Sequence, residues 1–339
     1  MPVSRVTIAD VARTAGVSKT AVSFAFNYPD RLGQATRDRV LQVAADLGYS
    51  PHPLARALSL RRSGAIGLLI PQSLSAVFSN PFTSELIQGL GSAFAEHDLA
   101  LLLVPPLAGS LEEAVRQASV DGFISLGLAA DDPTLETLAA MRLPTVHVDA
   151  DPSSGAVVNI DDRGGAEAAA RHLVELGHRD LAVIMLPGAR ARTGVTAVAG
   201  RRLAGYRAVI EEARLDEPLL VVAGATMEAG ADAFGALRAS GRRPTAVLAM
   251  SDMAAIGLMA AAQEAGRRVP EELSIVGFDD LPMAAWTRPG LTTVRQPIAE
   301  KGRLAAKLVI SLLEGRRAAS PAPLETKLVV RGSTASPGR

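Results

Sequence analysis

The sequence predicts an all-α headpiece followed by an α/β core of two lobes, each lobe built on a doubly wound parallel sheet. Two observations carry this. Near the N-terminus, short apolar stripes recur at helical period. From Ala65 onward, short apolar runs alternate with longer amphipathic segments, the pattern of parallel strands covered by helices on both faces. With 339 residues the chain is long enough for two or three domains and a sizeable core.

In the first helix Ile8, Val11, Ala12 and Ala15 repeat at i, i+3, i+4 and i+7. Thr7 suits its N-cap, Asp10 places negative charge in its first turn, and Gly16 suits its left-handed end. Ser18 caps a second helix that buries Ala21, Val22, Ala25 and Phe26 and turns Lys19, Thr20, Ser23, Phe24 and Asn27 outward. Two helices joined by a short Gly-containing turn, the second bearing polar side chains, make either a helix-turn-helix that reads the DNA major groove or an ordinary helical hairpin. A third helix is expected over about 34–47, with Val40, Leu41, Ala44 and Leu47 inward and Gly48 as its stop.

Charge favours the nucleic-acid reading. The whole chain is neutral, with 35 basic and 35 acidic side chains. Residues 1–62, however, carry nine basic against four acidic ones, a net of +5, which leaves −5 for the remainder. A basic small unit attached to an acidic large one suits a polyanion partner for the first alone. Pro53 permits a short helix over 53–59, too short to stand alone in water, with Arg61 and Arg62 as phosphate contacts; a charged linker is the plainer alternative.

Core strands are expected at 65–70, 99–104, 122–126, 145–148, 181–186, 219–223, 246–250 and 274–278. Helices are expected at 84–96, 164–176, 202–213, 227–239 and 254–265. So many strands imply two sheets, with a ligand pocket at strand carboxyl ends in the crevice between lobes.

Other chemistries find little footing. There is no cysteine, so neither disulfides nor thiolate metal sites are expected, in keeping with a reducing cytoplasm. No signal peptide or membrane span is expected. The five histidines have no metal-ligand spacing, no P-loop is present, and Gly89-Leu-Gly91 lacks the third glycine of a dinucleotide fingerprint. His147 and Asp149 face the same way on one strand without an indicated nucleophile. No catalytic residue, metal ligand or cofactor is therefore predicted.

Several motifs at consistent spacing resemble the LacI/GalR family of bacterial transcription regulators. They are Thr7-Ile-Ala-Asp-Val-Ala with Ala15-Gly-Val-Ser18, Val22-Ser23 with Asn27, Thr36-Arg37 with Arg39-Val40, and Leu47-Gly-Tyr-Ser-Pro51. Further along stand Val120-Asp-Gly-Phe123, His172-Leu-Val-Glu-Leu-Gly-His178, Arg202-Leu-Ala-Gly-Tyr206, Ser251-Asp252, Ser274-Ile-Val-Gly-Phe-Asp-Asp280 and Leu291-Thr-Thr-Val-Arg-Gln296. The resemblance implies a DNA-reading headpiece over 1–50, a hinge helix and linker over 51–63, and a core over 64–333 that resembles periplasmic sugar-binding proteins. Its N-lobe would take about 64–161 and 294–321, and its C-lobe about 162–293 and 322–333.

The implied function is a cytoplasmic, dimeric repressor of a pseudopalindromic operator, controlled by a small-molecule effector such as a sugar; relief by ligand is the reading taken, with corepression the other sign. Lys19, Thr20 and Phe24 would read bases, with Thr7, Ser18, Ser23, Asn27, Tyr49 and Arg61 among the remaining DNA contacts. Many relatives carry Arg where Phe24 stands; Phe24 either packs on a thymine methyl or folds back into the small core. Leu58 would enter the central base step, with Ala55 beside it in the minor groove. For the effector, the resemblance implies Arg202 as the clamp, Asp149 and Asp279 as acceptors, Ser251 or Asp252 as a polar contact, and Phe78, Phe82 and Trp286 as stacking faces. No tetramerising heptad repeat is expected, only a homodimer. A transport-type binding protein would share the core but would need a secretion signal and no basic headpiece.

Overall fold

A computed structural model of the chain describes residues 6–50, 62–151, 155–187 and 196–338. The chain forms two compact units, one extending to Gly64 and the other starting at Ala65.

The first unit contains α1 (Ile8–Ala15), α2 (Lys19–Asn27) and α3 (Gln34–Asp46), with a 3-10 turn at Pro29–Arg31. The Asp10 carboxylate accepts from the Thr7 N–H (3.0 Å) and the Thr7 hydroxyl (2.7 Å), closing the start of α1. These bonds, the hydroxyl's foremost, hold the Asp10 carboxyl below the usual range. Gly16 ends α1 in the left-handed conformation at φ 66°. Val11, Ala12, Ala15, Val22, Ala25, Val40 and Ala44 form one small core, with Ile8, Phe26, Leu47 and Tyr49 packed against it. Ala21 and Leu41, expected inside, are half-buried: a three-helix core this small covers only the centre of each stripe.

In the second unit, β1 (Ala65–Leu69), β2 (Ala100–Val104), β3 (Gly122–Leu126), β4 (Thr145–Val148) and β5 (Ala156–Val158) form a parallel sheet in the order β2-β1-β3-β4-β5. The chain between these strands forms α4 (Leu74–Ser79), α5 (Pro81–Ala95), α6 (Leu111–Gln117) and α7 (Thr134–Met141). One face of the sheet, with Ile66, Leu68 and Ile124, packs on Leu86 and Leu90 of α5 and on Val309 and Ile310 of a late helix. The other, with Leu69 and Phe123, packs on Leu111, Val115 and Leu138 of α6 and α7.

The second sheet combines β6 (Leu181–Met185), β7 (Leu219–Val222), β8 (Ala246–Ala249), β9 (Ser274–Asp279), β10 (Thr292–Arg295) and β11 (Lys327–Val329) in the order β11-β10-β9-β8-β6-β7. Helices α8 (Asp162–Glu175) and α9 (Ala197–Glu212) cover one face; α10 (Met227–Ala239) and α11 (Asp252–Glu264) cover the other. All eight expected strands are present. The pattern missed β5 and β11, which are only three residues long, and β10, a four-residue strand. It also missed the antiparallel pairing of β11 with β10, which departs from an all-parallel sheet.

Three crossings connect the lobes. β5 leads to α8 through Asp161; β10 leads through Gln296 to α12 (Ile298–Leu313), which packs on the first sheet; and the chain then returns to β11. The first and third crossings run side by side, with Leu324 bonded to Asn159 and Asp161 at 2.9 Å each. Helices α5 and α12 touch backbone to backbone: a Cβ added at Gly89 would lie 2.0 Å from the Ala299 carbonyl oxygen, so only glycine permits this approach.

His147 of β4 is buried, and its Nδ1 meets the Ser125 hydroxyl at 2.8 Å. Burial lowers its pKa to about 4. Between pH 6.5 and 4 the unfolded chain therefore binds a proton that the native ring refuses. The stability held above pH 6.5 drains away as pH falls toward 4, by up to about 3 kcal/mol. Denaturant titrations are expected to show a shallower acid loss for His147→Gln than for the unsubstituted protein.

Candidate functional site

Helix α2 carries Lys19, Thr20, Ser23, Phe24 and Asn27 on one face, preceded by Ser18, whose hydroxyl accepts the Ala21 N–H at 3.1 Å. Lys19 and Thr20 are exposed. Asn27 Nδ2 donates to Ser23 Oγ at 3.3 Å, while Asn27 Oδ1 is buried without a partner among the described residues. Phe24 is half-buried and lies outside the small core; its ring meets Tyr28 edge to face. Of the two readings for Phe24, folding back into the core is thus not what occurs. Tyr49 packs instead, edge to face with Phe26 at 5.9 Å, and burial raises its pKa. Thr7 is engaged with Asp10. Ala55, Leu58 and Arg61 lie outside the described residues.

In the core unit, a cavity of about 380 Å³ opens between the two sheets. Its lining includes Phe82, Asp149, Arg202, Ser251 and Asp279, five of the eight expected residues. Asp149 follows β4 and Asp279 ends β9, both with positive φ (55° and 127°), an uncommon backbone for aspartate. Arg202 is buried on α9, where its Nε donates to Asp162 (2.8 Å) and its Nη1 to the Met250 carbonyl (2.6 Å). The guanidinium lies 3.5 Å above the Phe278 ring. Burial pushes the Asp279 carboxyl upward, partly offset by Arg202.

A buried polar chain runs from one lobe to the other. Lys301 of α12 donates to both carboxylate oxygens of Asp149 (2.8 Å each) and to Gln296 Oε1 (2.6 Å). Gln296 Nε2 in turn donates to Asp279 Oδ1 (2.6 Å). The ammonium also lies 5.2 Å from the Phe82 ring centroid. Sequence reasoning missed Lys301 and Gln296. The signal was available: Lys301 is a lone charge at helical spacing from Ile298 and Ala305 on the buried face of α12.

Three expected effector residues do not line the cavity. Asp252 is buried behind it, accepting from the Leu281 N–H (2.8 Å) and the Thr293 hydroxyl (2.5 Å), so its carboxylate ties β9 and β10 to α11. Phe78 and Trp286 are exposed, Trp286 at 82%. Polar residues not anticipated, Gln72, Asn80, Thr196 and Thr226, come from loops and helix starts. Among the described residues no cluster of His, Asp and Glu is placed to hold a metal ion, and no helix is long and apolar enough to cross a membrane.

A helix-turn-helix unit joined to a two-lobed core, with a largely apolar cavity between the lobes into which Asp149, Arg202 and Asp279 converge, defines a ligand-responsive DNA-binding regulator. Known proteins agree. Residues 7–52 match the family described as bacterial regulatory proteins, lacI family, and residues 170–334 match a periplasmic binding protein-like domain. An HTH-type transcriptional regulator of Mycobacterium tuberculosis is 35% identical, covering 99% of this chain and 98% of the relative. The Escherichia coli ribose operon repressor is 32% identical over 90% of this chain and 92% of its own. Among solved structures, a lac repressor dimer bound to operator and an anti-inducer superposes with a TM-score of 0.82 at 25% identity, covering 98% and 99% of the two chains. The chain belongs to the LacI family of bacterial transcriptional regulators.

Lys301→Met would strand the Asp149 carboxylate without its cation, which typically costs about 3–5 kcal/mol. Chemical denaturation is expected to show that loss, with part of it restored in the Lys301→Met, Asp149→Asn double variant.

Proposed function

We propose that this regulator is a dimeric repressor whose cavity takes a mono- or disaccharide, and that ligand binding relieves repression. Residues 1–50 serve as the DNA-reading headpiece, 51–63 as the hinge, and 64–333 as the effector and dimerisation core, with lobes of about 64–161 with 294–321 and 162–293 with 322–333. The observation that carries the effector assignment is the convergence of Arg202, Asp149 and Asp279 from both lobes on one cavity. Arg202 supplies in-plane donors and Asp279 an acceptor, a combination suited to vicinal hydroxyls. Two relatives support a sugar: CelR, whose solved complex holds cellobiose (30% identity, TM-score 0.72, covering 97% of this chain), and an Enterococcus faecium regulator with bound ribose (27% identity, TM-score 0.70, covering 80%).

A ligand touching both lobes prefers one lobe arrangement over the other, and its differential affinity is what reaches the DNA, typically about 1–3 kcal/mol. Lys19, Thr20 and Phe24 read base edges, and Ser18, Ser23 and Asn27 lie near phosphates. Catalysis has no part in this reading: in the Ser125–His147 pair the ring is buried, and Asp149 is committed to Lys301.

A thermal-shift panel including cellobiose and ribose tests the cavity. A stabilising sugar is expected to bind Asp279→Asn at least about tenfold more weakly, the loss expected when a buried hydrogen-bond partner is replaced. Unchanged affinity in that variant would place the ligand elsewhere.

A further inference from the structure

Phe24, Tyr28 and Arg31 stand four and three residues apart, so one face of α2 continues through the following 3-10 turn. The rings of Phe24 and Tyr28 meet edge to face, with centroids 5.8 Å apart and planes at 85°. The Arg31 guanidinium carbon lies 5.6 Å from the Phe24 centroid and 5.0 Å from that of Tyr28. Its backbone is fixed as well: the Arg31 N–H donates to the Tyr28 carbonyl (3.0 Å), the Leu32 N–H donates to the Pro29 carbonyl (3.2 Å), and Pro29 restricts φ at the start of the turn. Arg31 is exposed, and no carboxylate bonds to it among the described residues.

We propose that Arg31, held on the Phe24 and Tyr28 rings, is a phosphate clamp of the DNA-reading headpiece. A guanidinium resting against aromatic rings keeps its in-plane N–H edge for an acceptor, and one already ordered loses little freedom on binding. Base edges are met by the N-terminal residues of a recognition helix. A group beyond the helix's C-terminal end therefore faces the backbone, where contacts fix register and carry no sequence. Phe24 thereby has a second role: the ring that cannot bond a guanine edge positions an arginine seven residues further on.

The inference rests on the headpiece being the DNA reader, and the test separates the two. The full-length protein selects duplexes from a randomised library, and affinity for the selected site is followed between roughly 50 and 200 mM salt. Arg31→Ala is expected to select the same consensus, to bind about tenfold more weakly per half-site, and to lower the salt slope by about 0.9 per half-site. Arg31→Lys should keep the slope. In a protein carrying both Phe24→Leu and Tyr28→Leu, which keeps apolar volume without either π face, removing Arg31 should cost about threefold or less, because the stack is already lost. An unchanged slope in Arg31→Ala, a changed preference at a single base, or full additivity with the Phe24→Leu, Tyr28→Leu pair would each overturn the proposal. Failure of the unsubstituted protein to select any site would overturn the DNA reading along with it.

Discussion

A buried ammonium held by one buried carboxylate and one amide oxygen is the constraint on which the core depends. Lys301 is fully enclosed, and removing a charge from water costs several kcal/mol unless its partners are close and complete. They are complete here: Asp149 takes two of its protons and Gln296 the third. Because Gln296 lies on the crossing strand and grips Asp279 in the other lobe, the arrangement that satisfies the lysine also fixes the ends of β4 and β9 relative to each other. Asp149 and Asp279, at those strand ends, both line the cavity. A ligand that moves either acid therefore pulls on a network with no spare partners, and small displacements at the site are passed on rather than absorbed.

The same logic assigns the two arginines of α9. Arg201 spans Asp151, which follows β4, and Asp162, which opens α8, while Arg202 turns inward to Asp162 and the cavity. Asp162, fully buried, is shared by both. One residue thus bridges the lobes while its neighbour lines the cavity. In the headpiece, by contrast, the core is small and apolar, and on the outer face of α2 Lys19 and Thr20 are exposed while Ser23, Phe24 and Asn27 are half-buried.

The sequence made the long elements legible and the site only partly so. Asp149, Ser251 and Asp279 converge on the cavity as expected because each sits at the carboxyl end of a strand, where topology alone decides direction, and Phe82 and Arg202 join them from helices α5 and α9. Asp252 misled because it also begins a helix after a strand, yet its carboxylate turns away to the Leu281 N–H and the Thr293 hydroxyl, partners tens of residues distant in the chain. Phe78 and Trp286 misled because an aromatic near a pocket in sequence carries no orientation. Lys301 and Gln296 were missed for the complementary reason: their meaning exists only once α12, from late in the chain, packs against the first sheet and meets Asp149, 152 residues earlier.

Under the proposed function, occupancy of the cavity and DNA affinity are one coupled equilibrium. The most direct measurement is the affinity of a stabilising sugar for the full-length protein, taken once alone and once saturated with its selected duplex, beside the affinity for that duplex with and without the sugar. Reciprocity requires the same factor in both directions, roughly 5- to 150-fold for ordinary allosteric coupling, with sugar and duplex weakening each other. A sugar that binds the cavity equally well in the free and DNA-bound protein would contradict the account.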